Sequence, residues 1–349
     1  MRAATFFDGE EWRDGVIEVV DGRMLVRDAA PDPALPRLDG VVVGGFTDHH
    51  VHLQLVDTAP LATSTLGRVV DLGANPKVVA RLAAGHNSGH TDADGAGSPS
   101  AAEFGTDGPE LRRPSAGHGP TIEYAGAFLT APGGYPSDRV WAPEGSVREV
   151  VDAASAARAV DDMADAGATC IKIASNTIAG PVFGDDLFQA VIAHAAARGL
   201  PVVAHAEGPG EAQRAVRLGA SRLTHAPFTE RLDDEEIATQ AASASWISTL
   251  AIHDGAAREI ALDNVRRFHA AGGEVLYGTD MGNGPTPVGL NAAEIGALRD
   301  AGLDAPALLC ALAPADPRLT GAALFLPGAT PATADPLRAL RLSPDDLKV

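Results

Sequence analysis

A chain of 349 residues that is 45% hydrophobic can bury a sizeable core, as one large α/β barrel or as two ordinary domains. Its 27 basic against 46 acidic residues leave a formal charge of −19, which repels nucleic acid and anionic membrane surfaces and excludes them as expected partners. Two cysteines, Cys170 and Cys310, are too few for a disulfide framework; with an acidic N-terminus lacking an apolar signal region and no run of membrane-spanning length, they predict a cytoplasmic protein.

In chain order, residues 1–43 read as short strands and turns, "ATFFDGEEW" and "GVIEVVDGRML", followed by Pro31, Pro33 and Pro36. They predict a small, abbreviated N-terminal β element. Eight strand candidates follow: "GVVVGGF", "GRVVDLG", "TIEYAGAFL", "ATCIKIA", "PVVAHAE", "SRLTHAPF", "SWISTLAI" and "EVLYGTD". Most are apolar throughout, as strands covered on both faces should be. Residues 85–118, rich in Gly, Ser, Asp and Pro, read as a mobile insertion after the second strand, with His86, His90 and His118 as solvated loop residues.

Helical patterns separate the later strands. Ser146 with Glu149 predicts a capping box, and Gly167 closes the helix after it. "DLFQAVIAHAAARG" ends at Gly199, "GEAQRAVRLG" at Gly219 and "AAREIALDNVRRFHAAGG" at Gly272. Repeated β-then-α units predict an α/β fold: a (β/α)8 TIM barrel over 44–313. The Pro- and Ala-rich stretch 314–349 is expected to pack back on the β element or to wrap the barrel.

Polar residues interrupt these apolar strands at a common end. In "GGFTDHHVHLQ", residues 44–54, strand alternation puts His50 and His52 on one face and His49 on the other. Lys172, His205, His225 and Asp280 stand toward the C-terminal side of four further strands, the face on which barrels build active sites. The 27 basic residues include only three lysines, Lys77, Lys172 and Lys348. Lys172 shares an inward face with Cys170 and Ala174, where a bare ammonium pays a large desolvation cost. Two remedies are open: an ion pair with Asp280, or reaction of the amine with carbon dioxide to give an anionic carbamate, for which arginine is poorly suited.

"GGFTDHHVH", the strand-four lysine, the two single strand histidines and the final "GTD" resemble the amidohydrolase superfamily, most closely its imidazolonepropionase-like and prolidase-like branch. The resemblance runs from about 41 to 310, and "GRVVDLG" is similar to that branch's second-strand motif. It implies two divalent metal ions, expected to be zinc. His50, His52 and Asp280 would hold the more buried ion, His205 and His225 the second, and carboxylated Lys172 would bridge them. Asp280 would also be the catalytic residue, taking the proton of the attacking water. Gly44 stands where the family usually has proline, the flanking β-sandwich is short, and the 85–118 insertion is unusual.

Tyr124, His253 and Asn283 are weaker candidates for contacts to a small-molecule substrate, and Glu207 reads as a loop carboxylate beside the metal. The leading expectation is hydrolysis of a carbon–nitrogen bond in a small amide, cyclic amide or dipeptide-like substrate. The alternatives are a mononuclear deaminase or imidazolone-type hydrolase, a lactone or ester hydrolase, and a non-catalytic metal-binding barrel. Self-association as a homo-oligomer is left open by the sequence.

Overall fold

The computed structural model describes residues 1–20, 23–87, 119–319 and 323–347. All but the first three residues of the 85–118 insertion, including His90 and His118, thus lie outside the described residues. The N-terminal strands Arg2–Phe7 and Trp12–Val20 pair antiparallel, Arg23–Arg27 extends that edge, and Arg37–Gly44 returns parallel to the first. The C-terminal strand Ala323–Pro327 lies antiparallel to Arg37–Gly44, and Leu340–Arg341 pairs on its outer side. Ala4, Phe6, Ile17, Val42 and Leu342 share the small core of this six-stranded sheet.

The run Val41-Val42-Val43, expected at the start of the first barrel strand, belongs instead to this sheet. Gly44 and Gly45 mark the crossing from sheet to barrel. A Cβ on Gly44 would stand 1.8 Å from the Ala315 carbonyl oxygen, and one on Gly45 would stand 2.5 Å from Gly67 Cα, so two backbone contacts leave no room for side chains.

The barrel strands are Phe46–Val51, Leu66–Asp71, Thr121–Tyr124 continued by Phe128–Thr130, Ile171–Asn176, Val202–Glu207, Arg222–Leu223, Ser245–Ile247 and Glu274–Leu276. Their pairings are parallel, and a bridge between Val51 and Met281 joins the last strand's extension to the first. The third strand is not continuous as "TIEYAGAFL" suggested. It breaks at Gly126, whose φ of +77° suits glycine; the first half pairs with Leu66–Asp71 and the second with Ile171–Asn176.

The Ser146–Glu149 capping box does not form. Val147–Glu149 is a strand parallel to Phe128–Thr130, so its backbone is spent on sheet pairing. The helix Ala153–Asp165 starts later, at Asp152, whose side chain accepts from Ser155 N while Ser155 caps in return. Gly167 then takes φ +91° just beyond this helix, as its C-terminal position predicts.

Inside the barrel, Val70, Val203, Ile247 and Leu276 from four strands, with Leu72, Ala125 and Cys170 next to strand ends, form one buried cluster. This apolar layer makes the barrel a packed core beneath the polar residues of its C-terminal end. The seam between first and last strands is tied by Asp48, fully buried, which accepts from Thr279 N at 3.1 Å and Thr279 Oγ1 at 2.6 Å. Burial pushes the Asp48 carboxyl up to about 7. Both cysteines are free thiols, and among the described residues no helix is long and apolar enough to cross a membrane.

Candidate metal centre

His50 and His52 sit at the end of the first barrel strand, 1% and 6% exposed. A register shift between Asp48 and Val51 interrupts strict alternation there, yet both rings converge. His50 Nδ1 lies 2.9 Å from the Thr224 carbonyl oxygen and His52 Nδ1 lies 3.2 Å from that of Gly73. A carbonyl oxygen only accepts, so each Nδ1 carries its proton and a neutral ring turns a lone pair outward at Nε2. The two Nε2 atoms are 3.3 Å apart and stand 3.2 and 3.1 Å from Asp280 Oδ1. Three electron-pair donors therefore close a small buried triangle, which only a proton or a cation can hold together.

Without a metal, a proton serves. Burial is the largest influence on His52 and opposes its charge, but the hydrogen bond to Asp280 and the charges of Asp280 and Asp71 together outweigh it and raise its proton affinity. Burial by itself would raise Asp280; the surrounding histidines, His50 and His52 foremost, hold it well below the usual carboxylate range. A divalent cation would displace the shared proton. Asp280 is itself held in a left-handed conformation at φ +54° and accepts from Asn283 Nδ2 at Oδ2, 2.7 Å away. Asn283 thus orients the carboxylate as well as lining the cavity.

His225 and His205 complete the arrangement. The His225 ring lies 4.9 Å from that of His50 and 5.0 Å from that of His205. His225 Nδ1 meets Thr249 Oγ1 at 2.8 Å, and His205 Nε2 meets Glu207 Oε2 at 3.1 Å. Glu207, which ends the strand Val202–Glu207 and is not the loop residue expected, also accepts from Asn176 Nδ2 at 2.6 Å and is an orienting partner of His205. Burial pushes His50 and His225 well below the ordinary imidazole value and lowers His205 as well, leaving neutral rings able to ligate. One atom each from His50, His225 and Asp280 lie within 4.8 Å of one another, compatible with a shared ion. Every one of the four histidines is fixed by a partner at one nitrogen, the arrangement that sets tautomer and aim in metal sites. Thr249→Val, which keeps the shape and removes the hydroxyl, is expected to weaken metal affinity roughly 10–100-fold. Calorimetric titration of the metal-free protein with Zn²⁺ checks this.

Lys172 is 1% exposed and opens into the same cavity. It is the second residue of Ile171–Asn176, so the strand expected over 168–174 starts later and runs on to Asn176, and Lys172 lies nearer its start than the expected position toward the C-terminal side. Among the described residues no carboxylate comes within ion-pairing distance of Nζ, which instead stands 5.6 Å from the Phe128 ring centre. Burial lowers its amine to about 7, against a raising field from Asp280. The ion pair with Asp280 is therefore not formed.

The cavity, about 220 Å³, is lined by these residues together with Leu55, Phe128, Tyr135 and Trp141. Tyr135 stacks on His205 with ring centres 5.1 Å apart. Sequence reading missed Tyr135, although "GGYPSDRVW" carries two of the six Tyr and Trp residues in an aromatic-poor chain, three of each. Tyr124 lies elsewhere: its hydroxyl donates to the Ala166 carbonyl beside Gly167, so it braces the barrel wall. His253 packs against Phe228 at 4.2 Å, close behind His225 but outside the cavity lining, and burial brings it to about 4. Burial, with the nearby charges of Arg222 and Arg68, holds His49 well below the ordinary imidazole value, and neither ring nitrogen has a partner among the described residues.

Comparison with known proteins agrees with this geometry. A model of the amidohydrolase family matches residues 41–302. No match was found among curated proteins. Among solved structures, the chain is similar to a Xaa-Pro dipeptidase with bound methionine (17% identity, 95% of this chain and 94% of that one, TM-score 0.66). It is also similar to the A. niger ochratoxinase (16%, 99% and 95%, 0.67) and to molinate hydrolase (15%, 98% and 92%, 0.67). Such identities speak for the fold alone, while the family match spans most of the sequence and includes every strand that faces the cavity. The chain belongs to the amidohydrolase family, hydrolases of carbon–nitrogen bonds.

Proposed function

We propose that this protein hydrolyses a small amide or dipeptide-like substrate at a two-metal centre held by His50, His52, Lys172, His205, His225 and Asp280. The observation that carries the reading is the triangle of His50 Nε2, His52 Nε2 and Asp280 Oδ1, three buried electron-pair donors converging where a divalent cation would replace a shared proton. Divalent cations, zinc being suited to this nitrogen and oxygen donor set, would supply Lewis acidity toward the substrate carbonyl and a nucleophile available at neutral pH.

The chain's own groups divide the remaining work. Asp280 takes the proton of the attacking water and hands it to the departing nitrogen, with Asn283 keeping Oδ2 aimed. Tyr135, whose hydroxyl burial keeps protonated, faces the fields of Asp280 and Glu207 and can donate to the carbonyl oxygen as charge develops. Leu55, Phe128 and Trp141 wall off water and accept the apolar part of the substrate. The names of the similar structures, a dipeptidase and two other hydrolases, support this substrate range.

Lys172 would bridge the ions as its carbamate. Carboxylation needs the neutral amine. With the folded value lowered to about 7, that form dominates above pH 7 and is lost as pH falls through it. Reconstitution of metal-free protein with Zn²⁺ and ¹³C-bicarbonate is therefore expected to give a lysine carbamate NMR signal at pH 8 that declines roughly tenfold per unit below pH 7. Metal analysis paired with a panel of N-acyl amino acids, dipeptides, cyclic ureides and lactones tests the whole reading. Two ions per chain with amide turnover support it. One ion with deamination, or turnover of lactones alone, overturns it.

A further inference from the structure

Beside the cavity wall stands Arg139, a cation that the centre described above does not use. It belongs to the segment Tyr135-Pro136-Ser137-Asp138-Arg139-Val140-Trp141, whose two ends, Tyr135 and Trp141, both line the cavity. A ladder of turns holds its backbone: Ser137 N donates to Gly134 O, Arg139 N to Pro136 O and Ala142 N to Arg139 O, at 2.9 to 3.1 Å. The Arg139 guanidinium carbon stands 5.7 Å from the Tyr135 ring centre, on the ring that stacks against His205 at 5.1 Å. Its charge is felt by Tyr135 and by Glu207, the partner of His205.

Arg139 is not committed elsewhere. Among the described residues its one ion pair is with Asp138 at 3.3 Å, and both side chains are open to solvent, 39% and 60% exposed. Such a pair contributes at most about 1 kcal/mol and yields readily to a better partner. A guanidinium presents a planar fork that matches a carboxylate. Tyr135 lies between this guanidinium and His205 and touches both. Leu55, Phe128 and Trp141 give the cavity an apolar lining.

We infer that Arg139 is a specificity determinant that selects substrates bearing a free carboxylate on the amine side of the scissile bond, N-acyl amino acids or dipeptides with an apolar acyl portion. This rests on the amide-hydrolase reading for its chemistry, but its test also has a readout that needs no turnover. Trp141 lines the cavity, whereas Trp246 is fully buried. Quenching of Trp141 fluorescence, assigned by Trp141→Phe, therefore reports binding. The zinc-loaded protein is titrated with N-acetyl-L-leucine and with N-acetyl-L-leucinamide, and kcat/KM is measured for both where hydrolysis occurs.

The acid is expected to bind roughly 10–100-fold more tightly than the amide, the worth of a charge-assisted contact. Arg139→Gln brings that ratio close to one, acting on KM rather than kcat. Absence of hydrolysis with the acid preference intact sinks the hydrolytic reading and leaves this one standing. Equal affinities, no quenching by either ligand, or a preference that survives Arg139→Gln overturns it.

Discussion

Lys172→Ala is expected to leave a folded barrel that no longer retains two metal ions and has lost nearly all amide hydrolysis. The reasoning starts from burial. Lys172 is 1% exposed, has no carboxylate paired to its amine among the described residues, and lies on the wall of the cavity. A lysine kept for structure would be paired, and its removal would orphan a buried anion at a cost of about 3–5 kcal/mol. Here the amine is already driven toward neutrality by desolvation, to about 7, so alanine removes an expensive group and leaves a small void. Thermal stability of the metal-free variant should match or exceed that of the metal-free parent. Activity should fall by at least the roughly 10²–10³ that removal of a single preorganised electrostatic group costs. Metal analysis, thermal melting and turnover of the best panel substrate check the three parts. A metal-replete, active variant rules out the bridging role. Recovery of activity on adding a short carboxylic acid, which can occupy the vacated space with two oxygens, would support it.

Asp280→Asn should give the second large loss. The substitution keeps the shape and the left-handed backbone at φ +54°, where asparagine is also tolerated. It removes the negative charge from the triangle with His50 and His52 and puts an amide opposite the Asn283 side chain, which now donates to Oδ2. General acid–base function is worth roughly 10²–10⁴ in rate, so kcat should fall by that factor even where metal can be forced in at high concentration. Metal affinity should fall in parallel, because one of three donors has become neutral. Zinc titration followed by turnover at saturating metal separates these effects. Undiminished kcat at full metal occupancy would remove Asp280 from the proton transfer.

How far the site was legible follows from where each signal lies. A strand that should be apolar on both faces makes any polar residue conspicuous, so His50, His52, Lys172, His205, His225 and Asp280 were all readable, and the structure places each on the cavity. Their orienting partners were less so. Thr249 and the carbonyls of Thr224 and Gly73 carry ordinary local signals; only the fold brings them to a ring nitrogen. Tyr124 and Tyr135 make the same point. Both lie on the third β segment or the loop after it, and the break at Gly126 turns one toward Ala166 and leaves the other over His205. Ser146 and Glu149 matched a helix start, but the neighbouring strand offered sheet pairing, a tertiary contact that overrides local propensity.

The sequence by itself determined the barrel and the identity of its polar strand ends, because both follow from local rules: burial on two faces demands apolar strands, and charge in such a strand needs a reason. Only the tertiary structure decided which nitrogen each histidine turns to the centre, that Lys172 has no pairing anion among the described residues, and that Arg139 stands over the Tyr135 ring. Those outcomes depend on distances between atoms far apart in the chain, set by strand register and side-chain packing.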